Sequence, residues 1–201
     1  MIMASVNAFA QDVVLPAPDF TQKSLPMIET LQTRHSVRSF AETPLTMQQI
    51  SNVCWAACGQ SRDDEHITAP SALNRQEIRL FVFTTEGVYE YLAKENVLKQ
   101  KTSGDHRQLV AGQQDYVMQA PVSFVMVIDL DKLSLGDDSR ALMMGCVDAG
   151  NVSENINLYC QSVGLATVPR ASMDIDDICK LLNLSEKCLP VMNNPVGLEK
   201  K

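Results

Sequence analysis

The sequence predicts a single α+β domain, and three observations predict it. Val122 to Asp129 (VSFVMVID) is nearly all apolar, the pattern of a central strand covered on both faces. Leu142, Cys146, Ala149, Ser153, Ile156, Cys160 and Val163 recur at spacings of four and three, a helix seam running through Ser139 to Val163. Helices and strands interleave without a clean βαβ repeat, which favours α+β over a doubly wound sheet. At 201 residues one core suffices, and no internal repeat or linker divides residues 24–198.

The first 23 residues form an arm, marked as extended by Pro16 and Pro18, with Pro26 just beyond it. Ala8-Phe9-Ala10 fits the A-x-A pattern of signal-peptidase cleavage, so that Gln11 would begin an exported, periplasmic chain. No Lys or Arg precedes it and the apolar stretch is short; a truncated signal peptide reconciles both facts. The alternative is the frayed N-terminus of a cytoplasmic protein. The folded domain is then 24–201.

Within it, Ser24 to Arg34 reads as a short helix burying Leu25, Ile28 and Leu31. Thr46-Met47-Gln48-Gln49 is a capping box that opens a helix to about Gly59, with Met47, Ile50, Val53, Cys54 and Ala57 on one face. Leu80 to Phe83 and Val88 to Tyr91 flank the turn Thr84–Gly87 as a hairpin. A polar helix from about Asp105 to Gln119 leads into the central strand. Gly164 stops the long helix, Leu165 to Val168 forms a strand, and Asp174 caps a last helix bearing Ile175, Ile178, Leu181 and Leu182. Val191 to Val196 is a final extended segment. Small Gly145, Ala149 and Gly150 suit close approach of another helix, either at a subunit interface or inside the same subunit.

Composition excludes several functions. A net charge of −7 without a dense Lys/Arg cluster argues against a nucleic-acid partner. No apolar stretch approaches the ~18 residues of a membrane span. The six cysteines show no CxxC, and His35, His66 and His106 share no metal spacing, so no metal site is expected. Cys54 and Cys58 read as packed thiols, and Cys179 and Cys188 as free ones. G-x-S-x-G, GxGxxG and Walker A sequences are all absent. What remains is Arg34-His35-Ser36-Val37-Arg38, two guanidinium forks, a hydroxyl and an imidazole within five residues. Such a group suits phosphate or the carbonyl edge of a heterocycle, or else is a solvated helix end.

From about Leu25 to Gly197 the chain resembles the nitroreductase family of FMN-dependent oxidoreductases. Arg34 to Phe40 (RHSVRSF) is similar to the family's R-x-S-x-R-x-F motif, and Ala69 to Gln76 (APSALNRQ) resembles its A-P-S-x-x-N-x-Q loop. Asp148-Ala149-Gly150, Asn155, Leu158 and Gly164-Leu165-Ala166-Thr167 resemble its D-x-G…N-x-x-L…G-L-x-T segment. The resemblance implies an intertwined homodimer built on a mixed or antiparallel sheet flanked by helices. It implies FMN at the dimer interface, held by Arg34, His35, Ser36 and Arg38 of one subunit and by Pro70, Ser71, Ala72 and Asn74 of the other. In the turn Val168–Ser172, Pro169 has no N–H, so Arg170 and Ala171 would be the backbone donors beside the flavin. The family's basic phosphate clasp near the C-terminus has no clear counterpart; Lys200 or Lys201 would stand in for it, or else they form a frayed, solvated tail, and Asp148 and Asn155 read equally well as structural polar groups.

The activity so implied is hydride transfer from NAD(P)H through FMN to an electron-poor acceptor (nitroaromatic, quinone or enone) in a ping-pong cycle. Because the cofactor carries the chemistry, no catalytic side chain is assigned. The other readings are a flavin-binding protein without turnover and a flavin-dependent dehydrogenase of the same family. An exported enzyme would need a donor other than cytoplasmic nicotinamide.

Overall fold

The computed structural model describes residues 11–133 and 136–200. The candidate cleavage site at Ala10 and Lys201 therefore lie outside the described residues.

The chain runs through β1 (Val13–Val14), α1 (Met27–Thr33), β2 (Phe40–Ala41), α2 (Met47–Cys58), β3 (Ile78–Phe83), β4 (Gly87–Leu92), β5 (Val97–Ser103) and α3 (Arg107–Ala111). It continues through β6 (Val122–Asp129), α4 (Asp138–Val163), β7 (Ala166–Thr167), α5 (Ile175–Leu182) and β8 (Cys188–Glu199). The sheet order is β1-β5-β4-β3-β6-β8-β2, with β7 also on β8, and every pairing is antiparallel.

The centre of this sheet explains the unbroken apolar run of β6. Leu80, Val82, Phe124, Met126 and Ile128 point to a core shared with Val53, Cys54 and Ala57 of α2 and Ala149, Val152, Ile156 and Cys160 of α4. The alternate residues Phe81, Phe83, Val125 and Val127 meet Val110 of α3 and Ile178 and Leu182 of α5 on the opposite face. Both faces are covered, so both parities are apolar. The α2 capping box forms as expected, Thr46 Oγ1 accepting from the Gln49 N–H while the Gln49 side chain accepts from the Thr46 N–H. Gly164 ends α4 in the left-handed region at φ 76°.

Five expectations need correction. The arm is not outside the fold: β1 pairs with β5, Leu15 is buried, and Ser51 Oγ donates to the Pro16 carbonyl. The helix α1 buries Thr30, leaving Ile28 68% and Leu31 53% exposed. The polar helix breaks at Gly112 (φ 56°) into α3 and a 3-10 turn at Asp115–Gln119. An unforeseen strand, β5, lies between β4 and β1, and β8 extends well beyond Val191–Val196 despite Pro190 and Pro195.

The fifth correction concerns α4. Ala149 is fully buried, and a Cβ at Gly145 would lie 2.6 Å from Ile128 Cγ2. The small residues therefore seat α4 on β6 of its own chain, while Leu142, Met143, Cys146 and Val147 face outward. A Gly145→Val chain should lose about 1–3 kcal/mol by overpacking against the fully buried Ile128. Thermal unfolding checks this; an unchanged midpoint would remove Gly145 from the contact. All six cysteines are free thiols, and burial pushes Cys54, Cys58 and Cys160 upward, Cys58 to about 12.

Candidate functional site

The segment after α1 is laid along the end of the sheet by backbone bonds. The Val37 N–H donates to the Thr167 carbonyl at 3.0 Å, and the Lys200 N–H donates to the Ser39 carbonyl at 3.1 Å. Val37 and Phe40 fill a small core with Ala120, Ala166 and Val168. Val37 is turned inward, while its neighbours Ser36 and Arg38 are exposed. Arg34 closes α1, its N–H bonded to the Thr30 carbonyl, and His35 Nδ1 lies 2.9 Å from the Thr33 carbonyl. Among the described residues neither Arg34 nor Arg38 has a carboxylate partner. The backbone of Lys200 arrives beside them.

β7 is held against α4 by a buried polar network. Asn194 of β8 accepts from Ser153 Oγ at 2.7 Å and donates to Asn157 Oδ1 and Thr167 Oγ1. The following turn is clamped by the adjacent Asn193, which exchanges backbone hydrogen bonds with Arg170 and donates through Nδ2 to the Ser172 carbonyl.

Arg170 departs from its expected role as a backbone donor, because its N–H is already given to the Asn193 carbonyl at 2.8 Å. Its side chain turns inward, 7% exposed, and donates to Gln114 Oε1, the Val110 and Ala111 carbonyls and Asn193 Oδ1. Each acceptor is a neutral oxygen, so the positive charge is solvated by dipoles and not cancelled by an anion. Burial holds the guanidinium below its usual range, and its carbon stands 5.9 Å over the Tyr116 ring. Ala171 remains exposed at the tip of the turn.

The second candidate segment is a strained loop. Pro70 is exposed, Ser71 and Ala72 are half-buried, and the 3-10 turn Ala72–Asn74 follows. Leu73, Asn74 and Gln76 adopt φ of 53°, 53° and 49°, which is costly for residues with a Cβ. Compensating bonds hold it: the Ala72 N–H donates to Asp148 Oδ2 at 2.7 Å, and the Gln76 N–H donates to Ser71 Oγ. Gln76 Nε2 bridges the Glu65 carbonyl and Asn74 Oδ1. Asp148, open above between the family motif and a structural polar group, anchors this loop. A carboxylate on the inward stripe of α4 was the available signal.

One chain does not bring the two segments together. The Arg34–Arg38 segment lies by β7, whose Thr167 pairs with Val196, itself opposite Val122 at the start of β6. The Pro70–Asn74 loop leads into Ile78, opposite Ile128 at the far end of β6. Val122 and Ile128 are roughly 20 Å apart at about 3.3 Å per residue. A cavity of about 850 Å³ contains neither segment; it lies among Leu45, Ile50, Tyr89, Leu98 and Met118. Among the described residues no group of three or more His, Cys, Asp or Glu could hold a metal, and no helix is long and apolar enough to cross a membrane.

Comparison with known proteins gives a consistent result. A family model described as the nitroreductase family matches residues 31–197. A protein of Methanocaldococcus jannaschii bearing a nitroreductase name is 25% identical over 194 residues, covering 89% of this chain and 97% of that protein. An FMN reductase [NAD(P)H] of Bacillus subtilis is 23% identical over 85% of this chain, and an NADPH-dependent oxidoreductase of Staphylococcus aureus 25% identical over 83%. The chain spans 65% and 62% of those two, less than two thirds of their length. A solved structure from Ralstonia eutropha, also described as a nitroreductase, superposes with a TM-score of 0.88 at 30% identity, covering 94% of this chain and 90% of that one.

Proposed function

The chain belongs to the nitroreductase family, and from that premise we propose that two copies of it hold FMN between the Arg34–Arg38 segment of one and the Pro70–Asn74 loop of the other. The observation that carries the reading is the separation of these segments at opposite ends of β6. A pocket lined by both needs a second chain. The outward faces of α1 (Met27, Ile28, Leu31) and α4 (Leu142, Met143, Val147) offer that chain an apolar surface.

The residues present fit a flavin mononucleotide. Arg34 and Arg38, without a carboxylate partner among the described residues, would supply forks for phosphate or the pyrimidine edge, and the exposed Ser36 between them adds a neutral donor. Ala171 is the remaining backbone donor of the turn after β7. The buried charge of Arg170, uncompensated by an anion, favours negative charge developing nearby. Bound FMN would supply hydride transfer from NAD(P)H to an electron-poor acceptor in a ping-pong cycle. The names of the Bacillus and Staphylococcus relatives support FMN and NAD(P)H as its partners.

The visible spectrum of the purified protein tests the cofactor, and bleaching of that spectrum by NADH or NADPH tests turnover. A bound flavin that neither nucleotide reduces would leave a binding protein. Arg34→Ala should weaken FMN binding about ten- to a hundredfold, the loss of one charge-assisted contact of roughly 1.5–3 kcal/mol. Full flavin stoichiometry in that variant at low micromolar concentration would remove Arg34 from the site.

A further inference from the structure

Glu77 ends the strained loop and begins the run into β3. It is 0% exposed, and neither carboxyl oxygen has a hydrogen-bond partner among the described residues. An ionised carboxylate cannot remain so without a large cost. The group facing it is another carboxyl, Asp148 of α4. Asp148 already accepts the Ala72 N–H at 2.7 Å, and Ala72 opens the turn in which Leu73 and Asn74 take left-handed backbone.

The charged surroundings are few. From the turn after β6, the Lys132 ammonium acts on Glu77 in the favourable sense and donates to the Gln76 carbonyl at 3.2 Å. Asp129 of β6 gives its backbone N–H to the Glu77 carbonyl. A charge on Glu77 beside the Asp148 carboxyl is unfavourable in this buried place, and a proton on Glu77 removes it. With Glu77 unprotonated, the two carboxylates repel, which works against the bond from the Ala72 N–H to Asp148. Protonated, Glu77 becomes the donor that Asp148 otherwise lacks on that side.

We propose that Glu77 is a positioning residue for the Pro70–Asn74 loop: it keeps a proton, donates that O–H to Asp148, and so holds the Asp148 carboxylate on the Ala72 N–H. The inference deepens the reading above, since the loop it sets is the one assigned to the flavin, but the geometry stands without flavin. Burial first, then Asp148, push Glu77 up to about 7 against the ordinary value of 4.5. A folded-state proton held above the unfolded value stabilises fully at acid pH and is lost as pH rises through about 7.

The experiment compares the full chain with Glu77→Gln, whose amide N–H₂ donates to Asp148 at every pH. In flavin-free protein, the wild-type Tm should fall relative to the variant as pH rises from about 5.5 to about 8. A Tm difference that does not change with pH overturns the proposal. In case the variant does not fold, ¹³C NMR of the wild-type glutamate carboxyls gives the same decision: one resonance titrating near 7 supports the proposal, and uniform titration in the ordinary range overturns it. With FMN added, whose phosphate titrates near 6 in both samples alike, wild-type affinity should weaken about tenfold relative to Glu77→Gln over that interval. A wild-type-to-variant ratio of FMN affinities that does not change with pH overturns the positioning role. If neither protein binds FMN at any pH but the Tm arm behaves as expected, the flavin reading fails and the Glu77–Asp148 proton stands.

Discussion

An Arg170→Met chain unfolds well below the parent. The substitution removes a fork that serves four acceptors, of which the Val110 and Ala111 carbonyls and Asn193 Oδ1 are buried. Each buried acceptor left unpaired costs about 1–3 kcal/mol, and partial relaxation brings the total to about 3–5 kcal/mol. In a chain of this length that lowers Tm by roughly 6–20 °C. Arg170→Lys keeps the charge but not the fork, and should recover less than half of the loss. Calorimetry on the three proteins decides it. A midpoint within about 2 °C of the parent would mean that the clamp between the turn after β7, α3 and β8 is not what fixes that turn.

Arg170 also shows why the site was only partly legible in the sequence. The resemblance pointed to this turn, but whether an N–H is available there depends on a pairing with Asn193, and nothing local announces that pairing. The same limit explains β5, where Val97 and Leu98 are followed by Lys99, Gln100, Lys101 and Thr102. An edge-side strand with one wet face lacks the apolar run that revealed β6. Local chemistry was readable where it is self-contained: the Thr46–Gln49 box, Gly164 beyond α4, and the β3–β4 hairpin. The burial of α1 was misread because its Ile28 and Leu31 satisfy helical periodicity while facing away from their own core. Periodicity reports that a face is apolar, not which chain covers it. Glu77 was likewise invisible, since its meaning comes from Asp148, 71 positions away on α4.

The outward face of α4 leads to the other large expected effect. Val147 is 53% exposed, beside Met143 and Cys146, whereas the adjacent Asp148 and Ala149 are turned into the chain's own core. A Val147→Arg substitution therefore leaves the monomer's packing untouched but sets a desolvated, unpaired charge into any helix-on-helix contact between two copies. If the flavin pocket takes Arg34–Arg38 from one copy and Pro70–Asn74 from the other, flavin binding and dimerisation are linked, and neither survives alone. The variant should elute at the monomer mass with native circular dichroism, and its FMN affinity should drop at least tenfold. Ala149→Arg serves as the contrast: it buries a guanidinium between α4 and the sheet and should misfold outright. Light scattering with flavin absorbance on one column reads both quantities together. A Val147→Arg monomer carrying stoichiometric FMN would show that a single chain completes the pocket, against the roughly 20 Å that β6 places between its two halves.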